Sequence, residues 1–183
     1  SNGIITSVRT VRENSEFTAN MANTKIRSIS ARQVLDSRGN FTIEVTVETG
    51  AHRASYAVPS GASVGSHEAA TVDADSAAKA VNHEIAKACM GMDTGDQRRL
   101  DERLIELDAT ENKSRLGAQA LLGTSIAAAK VAAAVSGKEL CEYLKTLAPG
   151  IKSSRRSPYL FLNLINGGMH SKSPITFQEY MIV

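Results

Sequence analysis

From Phe41 to Glu48 apolar and polar residues alternate without a break. Phe41, Ile43, Val45 and Val47 share one side, and Thr42, Glu44, Thr46 and Glu48 share the other. A period of two predicts a half-buried strand of an antiparallel sheet. A weaker β pattern covers residues 26–34, and Asp36-Ser37-Arg38-Gly39-Asn40 supplies turn chemistry between the two. Gly50 turns the chain into a third strand-like run over residues 53–58. Three strands are therefore expected as a meander.

The period then changes. Over residues 76–90, Ala77, Val81, Ile85 and Ala88 recur at helical intervals, and Gly91 is a suitable stop. Thr94 and Gln97 have capping-box spacing ahead of Leu100, Leu104, Ile105 and Leu107, which predicts a second helix. Residues 117–135 form a third, with Leu121, Ile126, Ala129 and Ala133 as core candidates and small side chains that allow close packing. Ser136 and Glu139 are placed to cap a fourth, carrying Leu140, Tyr143, Leu144 and Leu147 and ended by Pro149-Gly150.

Strands followed by helices imply an α+β domain over residues 25–150, with the helices on one face of an antiparallel sheet. Residues 151–157 read as a polar linker. Beyond it lie an apolar run over 159–165, a Gly167-Gly168 turn, and a second apolar run over 177–183 that is expected to find no partner within this chain. Residues 1–24 show neither period and read as a flexible extension. Glu13 and Glu16 weigh against a mitochondrial presequence there.

With 183 residues, 42% hydrophobic and 22% charged, the composition is globular. The length suits one domain and falls short of the about 250 residues of a complete (β/α)8 barrel. Lys plus Arg number 21 against 19 Asp plus Glu, a net charge of +2, which gives no field to attract nucleic acid or acidic lipid. Cys89 and Cys141 form no CxxC pair, as expected in a reducing compartment. No apolar run is read as a membrane span and no secretory signal is recognised, so the expected location is cytoplasmic.

Two segments carry candidate chemistry. Pro59-Ser60-Gly61-Ala62-Ser63-Val64-Gly65-Ser66 follows a strand with two glycines and three hydroxyls. By composition it is either an ordinary connection or a loop offering backbone amides and hard oxygens to a ligand such as Mg²⁺. Asn166-Gly167-Gly168-Met169-His170, with Gln178-Glu179 after it, follows a second strand. His170 could donate to an anion or carry a proton, and Glu179 could act as acid or base; each reads equally as a solvated surface residue. His52, His67 and His83 join no ligand constellation, and Arg98, Arg99, Asp101, Glu102 and Arg103 read as a solvated helix face.

Val34-Leu35-Asp36-Ser37-Arg38-Gly39-Asn40, continued by Thr42-Ile43-Glu44-Val45, resembles the start of the amino-terminal domain of enolase, the phosphopyruvate hydratase of glycolysis. Four further landmarks follow in the same order. They are Val58-Pro59-Ser60-Gly61-Ala62-Ser63 with Gly65 and Glu68; Asp108-Ala109-Thr110-Glu111-Asn112-Lys113-Ser114 with Leu116-Gly117-Ala118; Asn163-Leu164-Ile165-Asn166-Gly167-Gly168-Met169-His170; and Gln178-Glu179-Tyr180-Met181-Ile182. The likeness runs from about Ile26 to Val183.

The resemblance implies a reversible, Mg²⁺-dependent dehydration of 2-phosphoglycerate to phosphoenolpyruvate. By it, Ser63 matches a loop serine that ligates the second Mg²⁺, and Ala62 to Gly65 match a loop that closes over substrate. His170 matches a histidine near the substrate phosphate and hydroxyl. Gln178 and Glu179 match residues lining the site, the glutamate helping the hydroxide or its water to leave. It also implies a homodimer formed partly through this domain, and residues 151–183 as the linker and first strands of an incomplete (β/α)8-type barrel. Several positions depart from the pattern: Phe41 stands in place of proline, Val64 in place of threonine, and Met169, Ser171 and Lys172 flank His170 in place of smaller residues. Residues 68–77 form a shorter stretch than the pattern has. The family's general-base lysine, its partner glutamate and three carboxylate metal ligands would lie beyond Val183. Residues 1–183 alone are thus expected to be inactive, as part of a full enzyme, as the associate of a separate second half, or as an enolase-derived noncatalytic binding protein.

Overall fold

A computed structural model describes residues 24–61, 65–152, 157–168, 172 and 174–183. The chain divides into two units, Ser1–Pro149 and Gly150–Val183. The expected extension over residues 1–24 lies outside the described residues except for Thr24, as do 153–156 of the expected linker.

In the first unit, strands β1 (Ser28–Leu35), β2 (Phe41–Glu48) and β3 (Arg53–Ala57) form an antiparallel sheet in that order. The register pairs Ile29 with Val47, Gln33 with Ile43, and Val45 with Tyr56. Ile29, Ile43, Val45 and Val47 are buried, as the alternation requires. The polar side is not simply solvated, however. Thr42 and Thr46 are buried too, because the Thr42 hydroxyl donates to the Val58 carbonyl at 2.7 Å and Thr46 bonds Ser55. Phe41, expected in the core, is 68% exposed. It opens the strand at the sheet's end, where alternation continues but the packed layer does not.

Helix α1 comprises Ala74–Ala80, a π-helical turn Val81–Ile85, and Ala86–Cys89. It starts two residues before the expected 76 because the Asp73 carboxylate accepts the Ser76 N–H at 2.9 Å and caps it. Ala77, Val81, Ile85 and Cys89 are buried on one side. The π turn aims Asn82 at the sheet, where its amide accepts the Ala31 N–H at 2.8 Å and donates to the Ala31 carbonyl at 3.0 Å.

Helix α2 (Gln97–Asp108) is not capped by Thr94 as the spacing suggested. Asp96 caps it, accepting the Arg99 N–H at 3.2 Å. Thr94 is buried and donates to the Thr24 carbonyl, while the Gln97 amide turns sideways to Asp101 and Ser125. Leu100 and Leu104 are buried, but Ile105 is exposed. Asp108 closes the helix with a buried carboxylate that accepts from the Leu116 N–H at 2.8 Å and from the Thr110 N–H and hydroxyl. Burial works to raise its pKa. Those donors and the Arg115 charge outweigh burial and hold it below the ordinary value.

Helix α3 (Ala118–Val135) lies across β2 and β3 as the central core element. Contrary to the expectation that no segment reaches a membrane span, it is long and apolar enough to cross a membrane by length and composition. Its apolar surface is turned instead to the sheet and α2, with Leu121, Ala127, Ala128 and Val131 buried and Ile126 only half-buried. Gly123 lets it approach so closely that an added Cβ would stand 2.5 Å from a Val45 methyl. Ser136 ends α3 by donating to the Ala132 carbonyl at 2.6 Å, and so does not cap helix α4 (Leu140–Leu147). Glu139 makes no side-chain cap bond either. Tyr143 buries itself against Ala129, Ala132 and Ala133, leaving Leu144 and Leu147 exposed.

The second unit holds β4 (Leu162–Asn166) and β5 (Glu179–Ile182), paired antiparallel with Leu162 opposite Ile182 and Asn166 opposite Glu179. The terminal apolar run therefore does have a partner, which corrects the expectation of an unpaired strand. Neighbouring strands of a regular (β/α)8 barrel run parallel, and this pair does not. Every residue of both strands is exposed.

Candidate functional site

The connection after β3 begins as an extension of the ladder, with the Val58 N–H donating to the Ile43 carbonyl at 2.9 Å. Pro59 cannot donate, so regular pairing stops there. The two shoulders of the connection are fixed by residues elsewhere in sequence. Arg38, in the β1–β2 turn, donates from its guanidinium to the Gly61 carbonyl at 3.0 Å and the Ser60 carbonyl at 3.5 Å. On the far side the Glu68 carboxylate accepts the Gly65 N–H at 3.0 Å, and its own N–H returns to the Gly65 carbonyl at 3.1 Å. A cleft of about 400 Å³ opens beside these shoulders, lined by Phe41, Pro59, Ser60, Glu68, Thr71 and Leu122 among others. Ala62, Ser63 and Val64 lie outside the described residues.

The turn that presents Arg38 is organised by one carboxylate. Asp36 accepts the Asn40 N–H at 2.8 Å and the Arg38 N–H at 2.9 Å, and the Asp36 N–H pairs with the Asn40 carbonyl at 2.8 Å. These two amides, Asn40 first, hold its pKa below the ordinary carboxylate value, and the Ser60 hydroxyl adds to the lowering. A rigid base therefore stands under a long side chain.

In the second unit Gln178 and Glu179 are brought against the Asn166-Gly167-Gly168 turn. The Gly167 N–H donates to the Gln178 carbonyl and the Gly168 N–H to the Ile175 carbonyl, both at 2.9 Å. A Cβ on Gly167 would fall 2.3 Å from the Phe177 carbonyl oxygen and 2.6 Å from that of Ile175, so glycine is required for this close approach. Gln178 and Glu179 are exposed, and Tyr180 meets the Phe177 ring edge-on at 6.0 Å. His170 lies outside the described residues, with Met169 and Ser171.

Among the described residues no three His, Cys, Asp or Glu side chains are grouped to hold a metal ion. Magnesium favours a near-octahedral set of oxygens, carboxylates and waters among them. Of the residues the resemblance nominates, this chain offers the single hydroxyl of Ser63, which does not make a site by itself.

Arg38 and Glu68 were not among the expected site residues, although both stand inside recognised motifs. Glu68 has a local signal, an acid three residues after a glycine whose N–H it takes. Arg38 has none, since its partner is 23 residues away.

The family model described as Enolase, N-terminal domain, matches residues 26–144, well over half of the chain. The match spans the sheet and α1 to α3, beginning two residues before β1 and ending within α4. By this match the chain belongs to the enolase family through its amino-terminal domain.

Proposed function

We propose that this chain is the amino-terminal part of a glycolytic enolase, a phosphopyruvate hydratase that reversibly dehydrates 2-phosphoglycerate to phosphoenolpyruvate. The observation that carries the reading is the family match over residues 26–144, continued by the Asn166–Gly168 turn with Gln178 and Glu179 held beside it. In this reading Ala62, Ser63, His170 and Gln178 bind substrate. His170 serves the phosphate and hydroxyl region, and Glu179 holds or gives the proton that lets hydroxide depart as water. Ser63 is the residue of this chain that would hold Mg²⁺, whose charge would neutralise the enediolate that forms when the α-proton is lost. The base and the carboxylate metal ligands are proposed to lie outside residues 1–183, so this chain alone does not turn over. A cytoplasmic homodimer is part of the same proposal.

Phosphoenolpyruvate formation, followed by its ultraviolet absorbance, tests the reading. The complete enzyme should turn over within the ordinary range of about 1 to 1000 per second with Mg²⁺, and residues 1–183 alone should give no signal. Absence of turnover in the complete protein would leave the alternative, an enolase-derived binding protein. Turnover by the isolated chain would refute the division of the site.

A further inference from the structure

We propose that Asn166 is a modification site, at which the chain converts its own asparagine to aspartate or isoaspartate with the help of Asn163. The sequence holds two Asn-Gly pairs, Asn2-Gly3 and Asn166-Gly167. Such a pair is chemically labile because glycine, without a Cβ, lets its main-chain nitrogen swing onto the preceding side-chain carbonyl carbon. At this turn the glycine cannot be exchanged, since a Cβ on Gly167 would collide with the Phe177 and Ile175 carbonyl oxygens. Asn166 is exposed, so water reaches it. Asn163 lies three residues earlier, and in a regular strand those two side chains would stand on opposite faces. The register shift between Asn163 and Ile165 makes Leu164 an extra residue and returns both to one side. There the Asn163 carboxamide donates to the Asn166 side-chain carbonyl oxygen at 2.6 Å.

A donor on that oxygen draws charge from the carbonyl carbon and stabilises the oxyanion formed when the carbon is attacked. The step needs water and neither an oxidant nor a reductant. The Gly167 nitrogen gives its proton to water and bonds to the Asn166 Cγ; the Cγ–Nδ2 bond breaks, and ammonia leaves with a proton from water. Water then opens the cyclic imide at either carbonyl, giving aspartate or isoaspartate. One contact opposes the attack, because the Gly167 N–H is engaged by the Gln178 carbonyl at 2.9 Å. It has to release first, and two strands exposed along their whole length make a sheet of marginal stability. Position 166 stands opposite Glu179 in the register, so the product sets two carboxylates against each other across the strands. Like charges so placed weaken the pairing, and the conversion thereby loosens the hairpin in which it occurs.

Peptide mapping by mass spectrometry of the 183-residue chain incubated at neutral pH tests this without any requirement for dehydratase activity, and it separates Asn166 from Asn2. The mass gain of amide-to-acid conversion should appear at Asn166 in the folded chain, with isoaspartate resolved by its retention time. Asn163→Ala should slow that gain roughly two- to tenfold, the size of one net hydrogen bond. Hydrogen–deuterium exchange over residues 162–182 shows whether the variant keeps the β4–β5 pairing; where it does not, Asn163→Asp replaces it, keeping the shape while removing the donor. Asn166→Asp, which installs the product, should speed the same exchange relative to wild type. Absence of conversion at Asn166 in the folded chain, once the guanidinium-denatured chain has converted there, would overturn the proposal. An unchanged rate in the Asn163 variant would overturn the part given to Asn163. Exchange unaltered by Asn166→Asp would overturn the loosening of the hairpin.

Discussion

Replacing Gly123 by Ala sets two well-characterised effects against each other. In an exposed helix the change stabilises by about 1 kcal/mol, because glycine is the poorer helix former. At this position the new Cβ would lie 2.5 Å from one Val45 methyl carbon, 3.3 Å from the Val45 Cβ and 3.1 Å from a Val58 methyl carbon. Carbon atoms rest about 3.5–4.0 Å apart, so α3 and β2 would have to separate by about 1 Å. Val45 is fully buried on the central strand and bonded on both sides, which leaves it no cheap way to move. Overpacking of this kind costs about 1–3 kcal/mol. The net expectation is a loss of up to about 2 kcal/mol. Far-ultraviolet circular dichroism in urea suits the measurement, since the chain has no Trp. The midpoint should fall with the slope unchanged. Val45→Ala alone should cost roughly 2 kcal/mol for two lost methyl groups and a partial cavity, and combined with Gly123→Ala it should cost less than the sum, because the methyl added at position 123 enters space that the Val45 change vacates. A Gly123→Ala protein more stable than wild type by about 1 kcal/mol would show that the close approach does not constrain the fold.

Asp108→Asn should lower stability by about 1–3 kcal/mol by weakening a buried acceptor of three donors. Because the folded pKa of Asp108 is depressed, its stabilisation is complete above the unfolded value near pH 4 and is lost as pH falls through the lower folded value. Urea midpoints measured from neutral pH into that acid window should therefore fall less steeply in Asp108→Asn, and an unchanged slope would refute the assignment. Burial raises the Cys89 thiol to about 11, whereas Cys141 is exposed, so a thiol reagent near neutral pH should label one cysteine in the native protein and two after denaturation; two at once would show that the α1 core opens freely. In the complete enzyme, Ser63→Ala and Glu179→Gln should reduce kcat more than they raise KM, with the glutamine change costing 10²- to 10⁴-fold. A rise in KM at constant kcat would reduce both residues to binding roles.

The strands and helices were legible because each follows a strong period, and the family was legible because five motifs keep their order. What could not be read involves competition between partners. Thr94 and Gln97 satisfy a capping pattern by spacing, but Asp96 lies nearer the first free amides, while Gln97 finds partners on α3. Ser136 has the same two uses open to it, and the end of α3 takes it. Phe41 continues an alternation past the point where helices cover the sheet. The pairing of β4 with β5 joins runs that lie twelve residues apart with no distinctive hairpin signal between them, and the Arg38 contact joins a turn to a loop across an intervening strand. None of these leaves a local trace in composition.

The π turn in α1 has a consequence for how the sheet ends. A sheet edge is an open row of donors and acceptors to which any extended chain can add. At Ala31 that row meets the Asn82 side chain, which supplies one acceptor and one donor in the spacing a neighbouring residue would use. A helix thus stands in for the first residue of a further strand, and it carries no second pair to continue the ladder. Growth of the sheet stops at that point, by a group that completes the pairing and offers nothing to copy.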